Sequence, residues 1–346
     1  MLTMRLGAVL LAVCVALIAA PRSGSDVRDD TAWLQARLDA GQPIYLPRLP
    51  DGQCYATRGL WVSRDDTQIA SNGACIRGLG PGEVRMRSTD GDPIAAEAVF
   101  YVSRINVLDP APARISISGL RIEVPDGVEL YGISILGHLV DVQNVEVTGA
   151  PIDALYIGGR ANDGFAARVT VTDSRFTAGR RNVVSIVGAL DVRLERNVIS
   201  GGTDTYATGG GRTWGNPAAG IDVEPGGRGA PTLGVRIADN EIVENAGPGI
   251  LLALSTNQGL PVVGTGVEIV GNRIQRNGTR ATPPQHGGIV VNGGQQIGGG
   301  RLLVERNVIA DNRGAALLSR YDVNLELDLR DNQLEGRIRL QRTIPR

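Results

Sequence analysis

The chain has 346 residues, of which 42% are hydrophobic and only 4% aromatic, with 47 glycines and a formal net charge of -1. That length serves two average domains or one elongated repeat protein, and the low aromatic share with abundant glycine suits many short strands better than packed helices. Balanced charge leaves no electrostatic footprint for a nucleic-acid partner and no polybasic membrane patch. All 35 basic residues are arginine, which excludes any mechanism that needs a lysine base.

The chain opens like a secretory signal: Arg5 is followed by an apolar run of 15 residues from Leu6 to Ala20 that ends in small side chains. The run is short for a membrane span and no stop-transfer flank follows. Val13 before Cys14 fits a lipoprotein site poorly. Residues 1–25 are therefore expected to be removed, leaving a secreted or periplasmic protein with no membrane anchor in its mature form.

Next, Asp29-Asp30-Thr31 is an N-cap signal before Ala32 to Asp39, and Gly41 is a stop. Trp33, Leu34 and Leu38 share one face of that helix. Residues 26–42 are expected to cap the apolar end of a repeat body that occupies residues 43–346 and opens with Pro43-Ile44-Tyr45-Leu46-Pro47. Cys54 and Cys75, the cysteines left after signal removal, are 21 residues apart. In register on neighbouring rungs they would lie about 4.8 Å apart, so an exported protein favours a disulfide over two buried thiols.

From about residue 115 a pattern recurs: alternating apolar residues, Asn, one residue, then another apolar residue. Its clearest copies carry Asn240, Asn272 and Asn307, each followed by a second Asn (Asn245, Asn277, Asn312); other copies carry Asn144, Ser174, Asn197 and Asn332. Marker spacings run 30, 23, 43, 32, 35 and 25 residues, the shortest setting the rung and the longer ones containing loops. Each copy is too small to bury its own apolar face, so the copies must stack. Asn tolerates the left-handed backbone of a sharp bend, and stacked Asn amides can bond along the solenoid, so these residues are expected to be structural.

With the helix before Pro43-Ile44-Tyr45-Leu46-Pro47 and the repeated Asn-x-apolar rungs, residues 29 to 340 or so resemble the pectin-lyase-like family of right-handed parallel β-helices. The resemblance implies an all-β solenoid with a short N-terminal capping helix. It also implies extracellular polysaccharide chemistry, whether hydrolase, lyase, epimerase or noncatalytic binder.

A second strand in each rung is mostly opened by Gly. Period-two alternation aims Ile133, Leu155, Val184, Ile221, Ile250 and Ile289 at the core. Ser134, Tyr156, Ser185, Asp222, Leu251 and Val290 then face outward, as do Leu136, Gly158, Val187, Glu224, Ala253 and Asn292. Only Gly220-Ile221-Asp222-Val223-Glu224-Pro225 puts carboxylates at both outward positions. Such residues are about 6.6 Å apart on one face, near the lower end of the range for an inverting glycosidase. Asp222 and Glu224 are thus the candidate acid and base, with Arg181 on the rung before them completing the catalytic set. Arg180, Asn182, Asp153 and Tyr156 extend the polar stripe toward substrate. Tyr206 and Trp214, in the long insertion between Asn197 and Asn240, are candidate sugar platforms. Hydrolysis needs two carboxylates and water, and no cofactor. A uronate lyase or epimerase with Arg as base would instead use Asp222 and Glu224 to hold Ca²⁺. A noncatalytic carbohydrate-binding solenoid is the third reading. His138 reads as structural and His286 as a weak candidate.

Overall fold

The computed structural model describes residues 28–340 apart from 89–90, 107–108, 159–165, 204–216, 227–231, 254–265, 280–285, 293–299 and 321–324. The expected signal at residues 1–25, Tyr206 and Trp214 lie outside the described residues.

Parallel pairing dominates. Among the described residues, eighteen strands form one sheet that folds around a bend, ten form a second, and two pair as a separate hairpin. The rungs follow from alternation: Val140 and Val142 stack under Val169 and Val171, then Val192 and Leu194, Val235 and Ile237, Val267 and Ile269, and Leu302 and Val304. These side chains belong to one continuous core running from Leu34 to Leu317. Each buried Val, Leu or Ile contributes about 1.5–3 kcal/mol relative to exposure. The one antiparallel pair among the described residues is the hairpin of Val84–Arg87 with Pro93–Ala95. No helix among the described residues is long and apolar enough to cross a membrane.

The helix Thr31–Asp39 closes the N-terminal end, with Leu34 and Leu38 buried in the core. The acidic pair before it divides its work. Asp29 Oδ1 accepts the Thr31 N–H at 3.0 Å, whereas Asp30 docks the helix by exchanging two hydrogen bonds with the Ala56 backbone. Gln35 Nε2 donates to the Trp61 carbonyl at 3.0 Å and Gln35 Oε1 accepts its N–H at 2.9 Å, pairing backbone groups of the first strand in the ten-stranded sheet. Cys54 and Cys75 are in register and joined by a disulfide, with Cα atoms 4.4 Å apart.

The Asn markers form a hydrogen-bonded ladder, but they are not the left-handed residues. Positive φ belongs to the residue before each rung of the ladder: Asp173, Arg196, Asp239, Gly271, Arg306 and Asp331. The Asn that follows turns its amide inward and ties rungs together. Asn240 Nδ2 donates to Asn272 Oδ1 at 3.0 Å and to the Leu194 carbonyl at 2.8 Å, and the Asn240 N–H donates to the same Asn272 oxygen at 2.9 Å. Asn144 is itself left-handed, so Val145 occupies the ladder level beneath Ser174.

Candidate functional site

The ten-stranded sheet holds the candidate site. Ile133, Leu155, Val184, Ile221, Ile250 and Ile289 stack in successive register in the core. The neighbouring column runs Ser134, Tyr156, Ser185, Asp222, Leu251, Val290, and Gly158, Val187 and Glu224 align two residues further on. The alternation therefore predicts the correct face for both acids.

That face is outward by alternation, as expected, but it is not open to water along its length. Ser134, Ser185, Asp222, Leu251 and Val290 are all 4% exposed or less. Toward the N-terminus, Trp61, Tyr101 and Leu136 are covered by Met86 and Ile94 of the hairpin. Toward the C-terminus, Leu251, Val290 and Leu318 pack with Ala219 and Ala315 in a separate apolar cluster. The acid pair lies between these two blocks.

Around it, the start of each strand contributes polar groups. Asp153 is fully buried; its Oδ1 accepts from Arg181 Nε and from the Asn182 N–H, both at 3.1 Å, while a second Arg181 nitrogen bonds Oδ2. The guanidinium also lies over the Tyr156 ring, 6.0 Å from its centroid. Asn182 Nδ2 donates to Ser185 Oγ at 3.1 Å and to Asp222 Oδ2 at 3.0 Å, and Asn182 Oδ1 accepts the Ala219 N–H at 3.1 Å. Asp222 Oδ1 is buried without a hydrogen-bond partner. Glu224, at the end of the same strand, is half-buried, and the buried Thr232 hydroxyl donates to its carbonyl at 2.6 Å.

Burial, then the charge of Glu224, push the Asp222 carboxyl well above the usual carboxylate range, although Arg181 and the Asn182 hydrogen bond oppose the shift. Burial also raises Glu224, opposed by Arg181. The Arg181 guanidinium is held more firmly protonated than usual: its partly buried position disfavours the charge, but Asp153 more than compensates. Burial keeps the Tyr131 and Tyr156 hydroxyls protonated.

The structure thus gathers Asp153, Tyr156, Arg181, Asn182, Asp222 and Glu224. Arg180 does not join them: its side chain turns away to pair with the exposed Asp126. Both arginines lie in the bend before the strand Asn182–Val187, and of the two it is Arg181 that turns to Asp153. His138 pairs within the other sheet. Tyr131 was not anticipated. Its ring lies 5.3 Å from Tyr156, and its signal was a tyrosine directly before the Gly132 strand opening in an aromatic-poor chain.

Residues 126–334 match the model of the right handed beta helix region family, and the chain belongs to that family. No curated protein matches it significantly. Among solved structures it is similar to a tailspike, gp49 of the Acinetobacter baumannii bacteriophage Fri1, described as a capsular polysaccharide depolymerase. They share 15% identity over 89% of this chain and 54% of the tailspike, with a TM-score of 0.53. It is also similar to the enzymatically active domain of tailspike protein 2 of bacteriophage CBA120, at 12% identity over 85% of this chain and 44% of that one, with a TM-score of 0.53. A third is the tailspike of E. coli bacteriophage HK620 in complex with a hexasaccharide, at 11% identity over 90% and 55%, TM-score 0.53. The chain therefore spans about half the length of these tailspikes, and the likeness establishes the fold.

Proposed function

We propose that this protein is a secreted or periplasmic glycoside hydrolase acting on a polysaccharide, with Asp222 as general acid and Glu224 as general base. The observation that carries the reading is the Asp222 carboxyl itself. It is buried, anchored through Oδ2 by Asn182, and left with an unpaired Oδ1 beside a second acid. A carboxyl in that setting retains its proton, and the unpaired oxygen is the place for it. Asp222 would donate this proton to the leaving glycosidic oxygen as the C–O bond breaks. Glu224, whose ionised form Arg181 favours against the effect of burial, would take a proton from the water that attacks the anomeric carbon. The sugar-bound and polysaccharide-degrading tailspikes of the same fold support a glycan as substrate.

The chemistry of the cluster disfavours its use for elimination. Arg181 is committed to Asp153 and held protonated, so it is a poor proton acceptor. The groups around Asp222 and Glu224 also suit a proton better than Ca²⁺: an amide N–H donates to Asp222 Oδ2 and a guanidinium acts on both acids. The test is a reducing-end screen of the purified protein on plant, algal and bacterial glycans, with ultraviolet absorbance followed in parallel. Asp222→Asn and Glu224→Gln should each lose about 10²–10⁴-fold in turnover while folding normally. Full activity in the double variant rejects the site, and a rise in absorbance from unsaturated ends rejects hydrolysis.

A further inference from the structure

Beyond the acid pair, two columns of side chains continue toward the C-terminal end of the sheet, and they differ. The column of Asp222 runs into Leu251 and Val290, which are buried in an apolar cluster. The column of Glu224 lies two residues further along each strand. Ala253 follows Leu252, the partner of Val223, and Ala253 in turn pairs with Asn292, so these two residues carry the Glu224 column over the next two rungs. Both are partly exposed.

The Asn292 side-chain oxygen is turned inward and has no hydrogen-bond partner. Such an oxygen is uncommon in a folded protein and calls for an explanation. The asparagines of the ladder offer a contrast. Asn272 Oδ1 accepts from Asn240 and its Nδ2 donates to the Ile237 carbonyl, so that amide ties rungs together. The Asn292 oxygen ties nothing. Its side chain reaches the surface, and the soft last torsion of an asparagine lets the planar amide turn either atom outward. An amide both donates and accepts, which matches a sugar hydroxyl.

Two carboxyl groups that flank a bond put the glycan across the line joining them. Asp222 and Glu224 lie along one strand, so the glycan follows the solenoid axis. On the N-terminal side its path meets the partly exposed Arg181, Tyr156 and Tyr131. On the other side it crosses Ala253, whose small side chain leaves room, and then meets Asn292. Asn292 is two rungs from Glu224, about 10 Å, and so lies beyond the sugar joined to the bond being cut.

We propose that Asn292 is a substrate-binding residue, its amide hydrogen-bonding a hydroxyl of that more distant sugar and extending the site two rungs past the acid pair. The proposal rests on the hydrolase reading above and adds a contact and a direction for the substrate. It is tested with the polysaccharide that the screen shows to be turned over, comparing the parent with Asn292→Ala. A contact remote from the reacting bond holds ground state and transition state alike, so KM should rise about threefold to tenfold while kcat stays within about twofold. In the Asp222→Asn background, where the glycan is not consumed, its dissociation constant should rise by the same factor. The midpoint of urea unfolding should not fall, because the lost oxygen supports nothing in the fold. Unchanged KM and binding, or a lowered midpoint, overturns the role of Asn292 and leaves the hydrolase intact. No reducing ends from any glycan of the screen overturns the hydrolase reading and this proposal with it.

Discussion

Replacing Arg181 by Met tests the electrostatic frame of the site. Asp153 has no exposure to water, and its carboxylate is held by two guanidinium nitrogens and one backbone N–H. Without Arg181 only the Asn182 N–H remains. Removing one member of a buried ion pair costs about 3–5 kcal/mol, mostly because the other charge stays behind unpaired. The Arg181 side chain is 28% exposed, so water can partly replace it and the lower end is expected. About 3 kcal/mol corresponds to roughly a hundredfold in the folding equilibrium. Urea unfolding followed by circular dichroism measures it. Asp153→Asn in the same background removes the stranded charge and should recover most of the loss. Arg181→Met within about 0.5 kcal/mol of the parent, in the range of an ordinary surface change, or a double variant no better than the single, would show that the pair is not the support described here. Activity supplies a second reading. Arg181 lowers the proton affinity of both Asp222 and Glu224, so without it both limbs of the pH–rate profile should move to higher pH; movement to lower pH contradicts the assignment.

Asp222→Asn should stabilise the protein at neutral pH. The folded state holds the Asp222 proton more tightly than the unfolded chain does, so the parent loses stability as pH rises from the ordinary carboxylate range through the raised value, and the neutral amide avoids that loss. Thermal unfolding across pH checks this: the advantage should vanish at acid pH, and a variant no more stable than the parent at neutral pH contradicts it. Asn272→Ala removes the acceptor of the Asn240 N–H and the donor to the Ile237 carbonyl; two orphaned buried groups at about 1–3 kcal/mol each should make it among the most damaging single changes in the ladder. Cys54→Ser with Cys75→Ser opens a loop spanning 21 residues and should cost about 3 kcal/mol, measured as the gap between oxidised parent and variant in urea.

The sequence made the rungs legible because a strand's period of two admits no ambiguity once a glycine marks where it begins. The six strands from Gly132 to Asn292 fall in the register that alternation predicts. Ala98–Val102, the second strand of the same sheet, lacks that glycine opening, and Leu60–Val62, the first, follows Gly59 but spans only three residues, too few for a period of two to show. The bend was legible as a bend but off by one residue: left-handed backbone falls on whatever precedes the ladder, including Arg196 and Arg306. Rung geometry imposes it, and those side chains carry little sign of it.

Alternation says which side of a strand a residue occupies, but not what lies over that side. Trp61 and Leu251 have the same parity as Asp222, yet each belongs to an apolar cluster of its own. One cover comes from a hairpin inserted between rungs, a contact that no local period encodes. Asp222 is interesting chemically because it combines outward parity with burial. The first half of that statement could be read from Gly220-Ile221-Asp222-Val223-Glu224, and the second only from the apolar blocks on either side. A carboxylate pair on an open strand would titrate as ordinary surface acids; enclosure between two apolar blocks is what separates its proton affinity from theirs.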